Sequence, residues 1–469
     1  MRSCRQFCAP AVVLLGLLVL LVLLVPLGCS SLPVIVPDLA RRPGPAVQLE
    51  GSRGTLSAAQ SKAILGQLSR SGQPTDIFLR HLAVEEALVG SPLTTGNRVV
   101  LLQDGPATYR AMLAAILAAQ EHIHMETYIL EDDEVGERFA QALIDKQRQG
   151  VQVRLIRDSV GTMGTSAAFF QRMVDSGIQV LEFNPVNPVN VRKDWLLNQR
   201  DHRKLLIVDG RTAFLGGINI SSVYSGGSFS RASRVRSGGD APWRDTDLQL
   251  QGLAVAELQR LFLATWVAQK GPPLDEKNHF PVPVTAGHQV VRVIGSSPEE
   301  AYSLMYATLL SAIGSAESSI YLTNAYFVPD PQLLAALVAA ARRGVDVKLI
   351  LPSQTDSWLV FHAGRVYYEH LLHAGVKIYE RRGVILHSKT VLIDGVWATV
   401  GSTNLDWRSF LHNHELNAVV LGAEFGQQLQ AMFAKDLAAS DAIILAQWQN
   451  RSPCLRLKET FARIWAYWL

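Results

Sequence analysis

Cysteine is nearly missing from the body of this 469-residue chain: Cys4, Cys8 and Cys29 fall at the N-terminal end, and only Cys454 lies beyond them. That excludes a disulfide framework and a Cys-based zinc site. A surplus of one charge is missing too, since 44 Lys+Arg stand against 41 Asp+Glu, a net +3. A protein whose main work is to coat nucleic acid needs a larger basic excess, although a local basic site stays open. Charged residues make up only 18% of the chain and hydrophobic ones 48%, which excludes a disordered or collagen-like protein and leaves a globular one that can be membrane-associated. The length exceeds what one ordinary core needs and suggests two domains or a duplicated pair.

One long apolar run is present, at residues 9–25, with Arg2 and Arg5 before it and Pro26-Leu27-Gly28-Cys29 after it. It reads as a secretory signal or membrane anchor, not as part of the fold. At about 1.5 Å per helical residue, such a run covers most of a bilayer's hydrocarbon core. The preceding positive charge predicts the N-terminus inside and the body outside. Leu27-Gly28-Cys29 resembles a bacterial lipoprotein cleavage site, with Cys29 as the lipidated residue, although Pro26 departs from that pattern. An uncleaved anchor and an ordinary signal peptide are the alternatives. All three place the body outside the cytoplasm, in a bacterium at the periplasmic face of the cell membrane. Pro33, Pro37, Pro43 and Pro45, set among glycines and serines, read as a tether. The expected organisation is residues 1–30 signal or anchor, 31–97 tether and lead-in helices, 98–270 first domain, 288–440 second domain and 441–469 C-terminal tail.

The body is written twice. An apolar helix at 109–120 leads to an alternating strand at 122–130, a helix at 135–149 stopped by Gly150, a strand at 151–156, a helix stopped by Gly177 and a strand at 178–183. The second half repeats this order with strands at 320–328, 345–351 and 376–379, and helices stopped by Gly344 and Gly375. Gly150-Val-Gln-Val-Arg-Leu-Ile156 is close to a copy of Gly344-Val-Asp-Val-Lys-Leu-Ile350. This alternation predicts mixed, mostly parallel sheets covered by helices.

A His-x-Lys motif is repeated as well. Asp201-His202-Arg203-Lys204 runs on to Asp209 and Gly216-Gly217-Ile218-Asn219; Leu386-His387-Ser388-Lys389 runs on to Asp394 and Gly401-Ser402-Thr403-Asn404. In both, His to Lys is two residues, His to Asp seven, Asp to Gly seven and Asp to Asn ten. In a strand, residues i and i+2 share a face, so His202 projects with Lys204 and His387 with Lys389. If the halves pack face to face, two His, two Lys and two Asn converge on one anion site. Lys and Asn donors suit a phosphate's non-bridging oxygens. One His can attack phosphorus while the other protonates the leaving oxygen. His-x-Lys is a poor metal pair, and the lysines neutralise phosphate charge, so neither a metal nor a cofactor is called for. His122-x-His124 and His412-x-His414 read as strand and loop histidines held in hydrogen bonds.

The two motifs, with Trp243-Arg244-Asp245-Thr246-Asp247, Asn324-Ala-Tyr-Phe327 and Asn413-His414-Glu415, resemble the phospholipase D superfamily and, within it, the bacterial cardiolipin synthases. The resemblance spans about residues 98–437. It implies an α/β fold of two similar phospholipase D-like domains, related by a pseudo-twofold, with the site between them. It also implies a ping-pong reaction through a phosphohistidine. By resemblance, His202 is the nucleophile and His387 the general acid and base, a polarity the sequence alone leaves open. Lys204, Lys389, Asn219, Asn404 and Ser402 would serve phosphate. Glu415 would orient the histidine of the second motif and Asp247 that of the first. Asp209 and Asp394 belong to the motif but fit support of the strand turn better than contact with substrate.

Four functions compete. A phosphatidyltransferase making cardiolipin from phosphatidylglycerol at a membrane surface leads. A phospholipase using water, a nuclease and a non-catalytic lipid-binding scaffold follow. Motifs intact in both halves argue against the scaffold. Near-neutral charge argues against the nuclease, so no nucleic acid partner is expected. The loop at 225–239 carries Arg231, Arg234 and Arg236 among Gly and Ser. It reads as a solvated linker or as a lid contacting anionic lipid. The aromatic end, 461–469, suits either a membrane interface or packing on the body.

Overall fold

The computed structural model describes residues 47–70, 75–186, 198–226, 241–274 and 279–469. The expected anchor with Cys29, and the 225–239 loop from Gly227 onward, lie outside them. No helix among the described residues is long and apolar enough to cross a membrane.

Local sequence explains the repeated helices. Glu134–Arg148 begins at Asp133, whose side chain accepts from the N–H groups of Val135 and Gly136, and carries Glu134 and Glu137 in its first turn and Lys146 and Arg148 in its last. Val135, Phe139 and Leu143, four residues apart, form its buried stripe. Its counterpart Pro331–Arg342 starts at Asp330, with proline in the first turn. Gly150 and Gly344 follow the two helices at φ values of 90° and 93°, a left-handed backbone that lets the chain turn straight into the next strand.

The first half forms a sheet from Leu93–Leu102 (β1), His122–Thr127 (β2), Gln152–Asp158 (β3), Gln179–Phe183 (β4), Lys204–Val208 (β5), Thr212–Gly216 (β6) and Asp247–Gln251 (β7). The second uses Gln289–Ser296 (β8), Ser319–Thr323 (β9), Asp346–Pro352 (β10), Lys377–Arg381 (β11), Thr390–Ile393 (β12), Trp397–Gly401 (β13) and Asn413–Leu421 (β14). The orders are β4-β3-β2-β5-β6-β7-β1 and β11-β10-β9-β12-β13-β14-β8, the same arrangement twice. Antiparallel pairing of β1 with β8 joins them.

The sheets are mixed, as expected, but the expected parallel majority is corrected. In each of these halves two pairings are parallel and four antiparallel. Parallel pairs need a crossover, which the helices supply on one side of each sheet. The His-x-Lys strands β5 and β12 instead turn back directly into β6 and β13.

The two sheets share a core. Leu205, Ile207, Leu215 and Leu250 of the first belong to one buried cluster with Val291, Val293, Leu392, Val400 and Ala418 of the second. Phe262 and Trp266 of helix Ala254–Ala268 and Phe425 and Leu429 of helix Ala423–Ala438 complete it. Each such buried side chain is worth roughly 1.5–3 kcal/mol, so sliding one half on the other would expose many at once. That rigidity fixes the separation of the two motifs.

Candidate active site

His202 stands just before β5, which opens with Lys204, and His387 and Lys389 stand just before β12; both histidines line one pocket of about 280 Å³ with Asn219, Asn404, Tyr128, Trp243 and Tyr326. Two short parallel pairings bring the halves together there. Arg200–Asp201 pairs with Asn413–His414, and Trp243–Arg244 pairs with Ile385–Leu386. The backbone N–H of His202 donates to the His414 carbonyl at 3.0 Å, and that of His387 to the Arg244 carbonyl at 2.8 Å. The residue after each pairing partner is an acid, so each histidine meets an acid from the opposite half.

His202 Nδ1 lies 3.1 Å from both Glu415 carboxylate oxygens, and His387 Nδ1 lies 2.6 Å from Asp245 Oδ2. A carboxylate at Nδ1 keeps the proton there and leaves Nε2 with its lone pair. Lys389 Nζ is also 2.9 Å from His387 Nδ1. One ring nitrogen cannot donate to Asp245 and accept from an ammonium together, and the shorter carboxylate contact decides for Nδ1–H. Lys204 Nζ donates to the His202 carbonyl at 2.6 Å, and Lys389 Nζ makes the matching bond to the His387 carbonyl.

The residues also match a family model described as "Cardiolipin synthase, PLD-like domain" over 112–225 and 309–437. Similar proteins include the cardiolipin synthase of Geobacillus kaustophilus, 35% identical over 80% of this chain and 72% of that protein. That of Halalkalibacterium halodurans is 33% identical over 85% of this chain and 77% of its own length. The chain belongs to the cardiolipin synthase family. Among solved structures, the phosphatidylserine synthase of Haemophilus influenzae has the same fold at 13% identity, with a TM-score of 0.61 over 82% of this chain and 97% of that one.

Burial sets the electrostatics of this synthase-family site. It pushes the His202 imidazole down to about 4, helped by Lys204 and Lys389 and opposed by Glu415, so the ring is neutral. His387 is lowered by burial and by Lys389, against Asp245. Burial lowers Lys204 to about 7 and Lys389 to about 8 while nearby carboxylates raise them. Burial works to raise Glu415, but His202, Lys204 and Ser402 outweigh it and hold the carboxylate below its ordinary value. The site therefore holds a neutral His202 beside lysines whose charge is easily lost, and a phosphodiester anion would stabilise that charge.

The expected His-orienting pairs are corrected. Glu415 faces His202 of the first motif, not His387 of its own. Asp247 faces neither histidine: its Oδ1 accepts from the Ile218 N–H at 3.1 Å, and burial raises its pKa well above the ordinary range. Asp245, two residues earlier, is the orienting acid of that segment, and it faces His387 of the second motif rather than His202. The repeat itself carried the signal. Asp247 pairs with Gly216 as Asn417 pairs with Gly401, so counting back two residues aligns Asp245 with Glu415.

Ser402, expected at phosphate, donates instead to Glu415 Oε2. Its counterpart Gly217 is glycine for space: a Cβ there would sit 2.3 Å from Asp245 Oδ1. Asn219 lines the pocket with its amide engaged, Oδ1 accepting from Ile129 N–H at 3.2 Å and Nδ2 donating to Tyr224 OH at 3.2 Å. Asn404 lines it with Oδ1 unpartnered. Asp209 and Asp394, counted in the catalytic motif, lie behind the strands. Asp209 accepts from the N–H groups of Gln120, Glu121 and His122, and Asp394 from those of Glu317, Ser318 and Ser319. Both adopt left-handed backbone, at φ 54° and 51°. They tie the strand turn, as the sequence suggested.

Among the described residues, one cluster has the make-up of a metal site. His122, His124 and His279 place ring nitrogens within 4.8 Å of one another. His124 Nε2, however, takes a bond from the Arg154 guanidinium at 3.1 Å and Nδ1 faces Gln259 Nε2 at 2.7 Å. A buried guanidinium against a ligand opposes a divalent cation, and the trio reads as a core network.

Proposed function

We propose that this protein is a phosphatidyltransferase that makes cardiolipin at a membrane surface outside the cytoplasm, with phosphatidylglycerol as donor and acceptor. Family membership supports the transferase class. The observation that carries the chemistry is the crossed pair of His–acid contacts on one pocket. His202 Nε2 attacks phosphorus, forming a P–N bond while the P–O bond to glycerol breaks, and that oxygen leaves with the Nε2 proton of His387, whose imidazolium form Asp245 and the bound phosphodiester anion stabilise. His387 then takes the proton of the acceptor hydroxyl, whose oxygen attacks phosphorus while the P–N bond breaks. Lys204 and Lys389 offset the charge that gathers on the non-bridging oxygens. His202 stays a nucleophile because burial keeps the ring neutral and Glu415 holds its one proton on Nδ1, leaving the Nε2 lone pair free. Hydrolysis is the second reading, because water can replace the acceptor hydroxyl in the same step. Lipid analysis after incubating the full-length protein with phosphatidylglycerol vesicles separates them. Cardiolipin plus glycerol supports transfer, phosphatidic acid supports hydrolysis, and neither product sinks both.

A further inference from the structure

Helix Pro453–Arg463 and the 3-10 segment Ala466–Trp468 after it present two apolar faces. The inner face is packed: Ala462 and Ala466 are buried with Val328, Val360 and Ala363. Glu459, the helix's one acidic residue, is buried there and paired with Arg451 at 2.9 Å. The outer face is solvent-exposed: Leu457 by 71%, Phe461 by 51%, Ile464 by 52%, Trp465 by 43% and Trp468 by 61%. Leu457 and Phe461, spaced i and i+4, share one face of the helix, and Ile464, Trp465 and Trp468 continue an exposed apolar stripe past its end at Arg463. Trp358, its ring centroid 6.5 Å from that of Phe461, extends the patch. Exposed Arg456, Lys458 and Arg463 flank it. A helix already anchored by one apolar face has no folding reason to keep a second in water.

Trp468 and Leu469 also line the pocket that holds His202 and His387, so the stripe is continuous with the mouth of the site. An apolar stripe bordered by cations is the make-up of a helix lying in the plane of an anionic bilayer, and tryptophan favours that depth. A second copy seated on the same patch would set cations against cations.

We propose that residues 453–468 form a membrane-docking lip, which seats the protein on an anionic phospholipid surface at the mouth of the active site. The lipid headgroup then reaches the histidines while its acyl chains stay in the bilayer. The proposal rests on the reading that the pocket takes a phospholipid.

Two measurements on the full-length protein test it. In phosphatidylglycerol vesicles with brominated acyl chains, the fluorescence contributed by Trp465, taken as wild type minus Trp465→Phe, should be quenched about twofold or more. The variant Leu457→Ser/Phe461→Ser/Trp465→Ser should lose about tenfold or more in rate on vesicle phosphatidylglycerol. On dibutyryl phosphatidylglycerol, dissolved as monomers, it should stay within about twofold. No quenching, equal loss on both substrates, or loss on neither would overturn the lip. Absence of quenching with a blue shift that grows with protein concentration would assign the face to a second copy. If wild type turns over neither lipid, the functional reading fails while the quenching still decides the docking. If the triple variant does not fold, the near-native Trp465→Phe comparison decides alone.

Discussion

Crossing of the acids makes a prediction that an uncrossed site would not. Asp245 comes from the first half yet meets His387 at 2.6 Å, and both are buried. Asp245→Asn keeps the shape and removes the charge. A hydrogen bond to a charged partner is worth about 1.5–3 kcal/mol, and about 1.4 kcal/mol is a decade of rate. Turnover of phosphatidylglycerol should therefore fall roughly 10–10²-fold. Glu415→Gln, acting on His202, should cost a similar factor. Leaving-group chemistry separates them. A phosphatidyl ester of p-nitrophenol needs little protonation on departure, so its first-turnover burst should recover most of its rate in Asp245→Asn. It should stay slow in Glu415→Gln, where the nucleophile itself is poorly oriented. The assay is p-nitrophenol release in a rapid-mixing instrument, with circular dichroism to confirm folding. Recovery in Glu415→Gln and none in Asp245→Asn would refute the assignment of each acid to the opposite histidine.

Three further outcomes follow from the same geometry. Lys204→Met or Lys389→Met should lower turnover by about 10²–10³ with the fold intact, because each removes a fixed cation from the developing charge; unchanged kinetics would take that lysine out of the site. For the free enzyme, kcat/KM should fall as pH drops through about 4, where His202 gains a proton, and as pH rises through about 7, where Lys204 loses one. Lys204→Arg should carry the upper limb to higher pH, since a guanidinium keeps its proton; an unmoved limb would assign it to another group. Gly217→Ala would press a Cβ to 2.3 Å from Asp245 Oδ1, so its kinetic signature should match that of Asp245→Asn, leaving-group recovery included; kinetics like wild type would show that Asp245 tolerates displacement.

Much of this was legible before any coordinates. Strand alternation, the stopping glycines and the copied Gly-Val-x-Val segments located the βαβ units, because those signals are local. The sheet's parallel content was overstated because helix–strand alternation shows crossovers but hides the direct turns from β5 to β6 and β12 to β13. At the site, His202, Lys204, His387 and Lys389 were evident from spacing, and two strands with matched motifs must be placed alike by matched folds. Partner choice was not evident. Which acid meets which histidine depends on two-residue pairings between halves, Arg200–Asp201 with Asn413–His414 and Trp243–Arg244 with Ile385–Leu386. No local pattern encodes those. Ser402 was expected at phosphate from its place in the motif, but the return of β14 beside β13 within the same half gives its hydroxyl to Glu415.

The central claim is that one phosphoryl group passes through His202 Nε2 with His387 as its proton partner. It is tested most directly by trapping the covalent enzyme. Protein quenched during turnover of labelled p-nitrophenyl substrate should carry acid-labile phosphoryl label on His202. The label should persist in His387→Asn, where the second step lacks its base, and vanish in His202→Asn. Label on His387 in the His202→Asn variant would contradict the assignment.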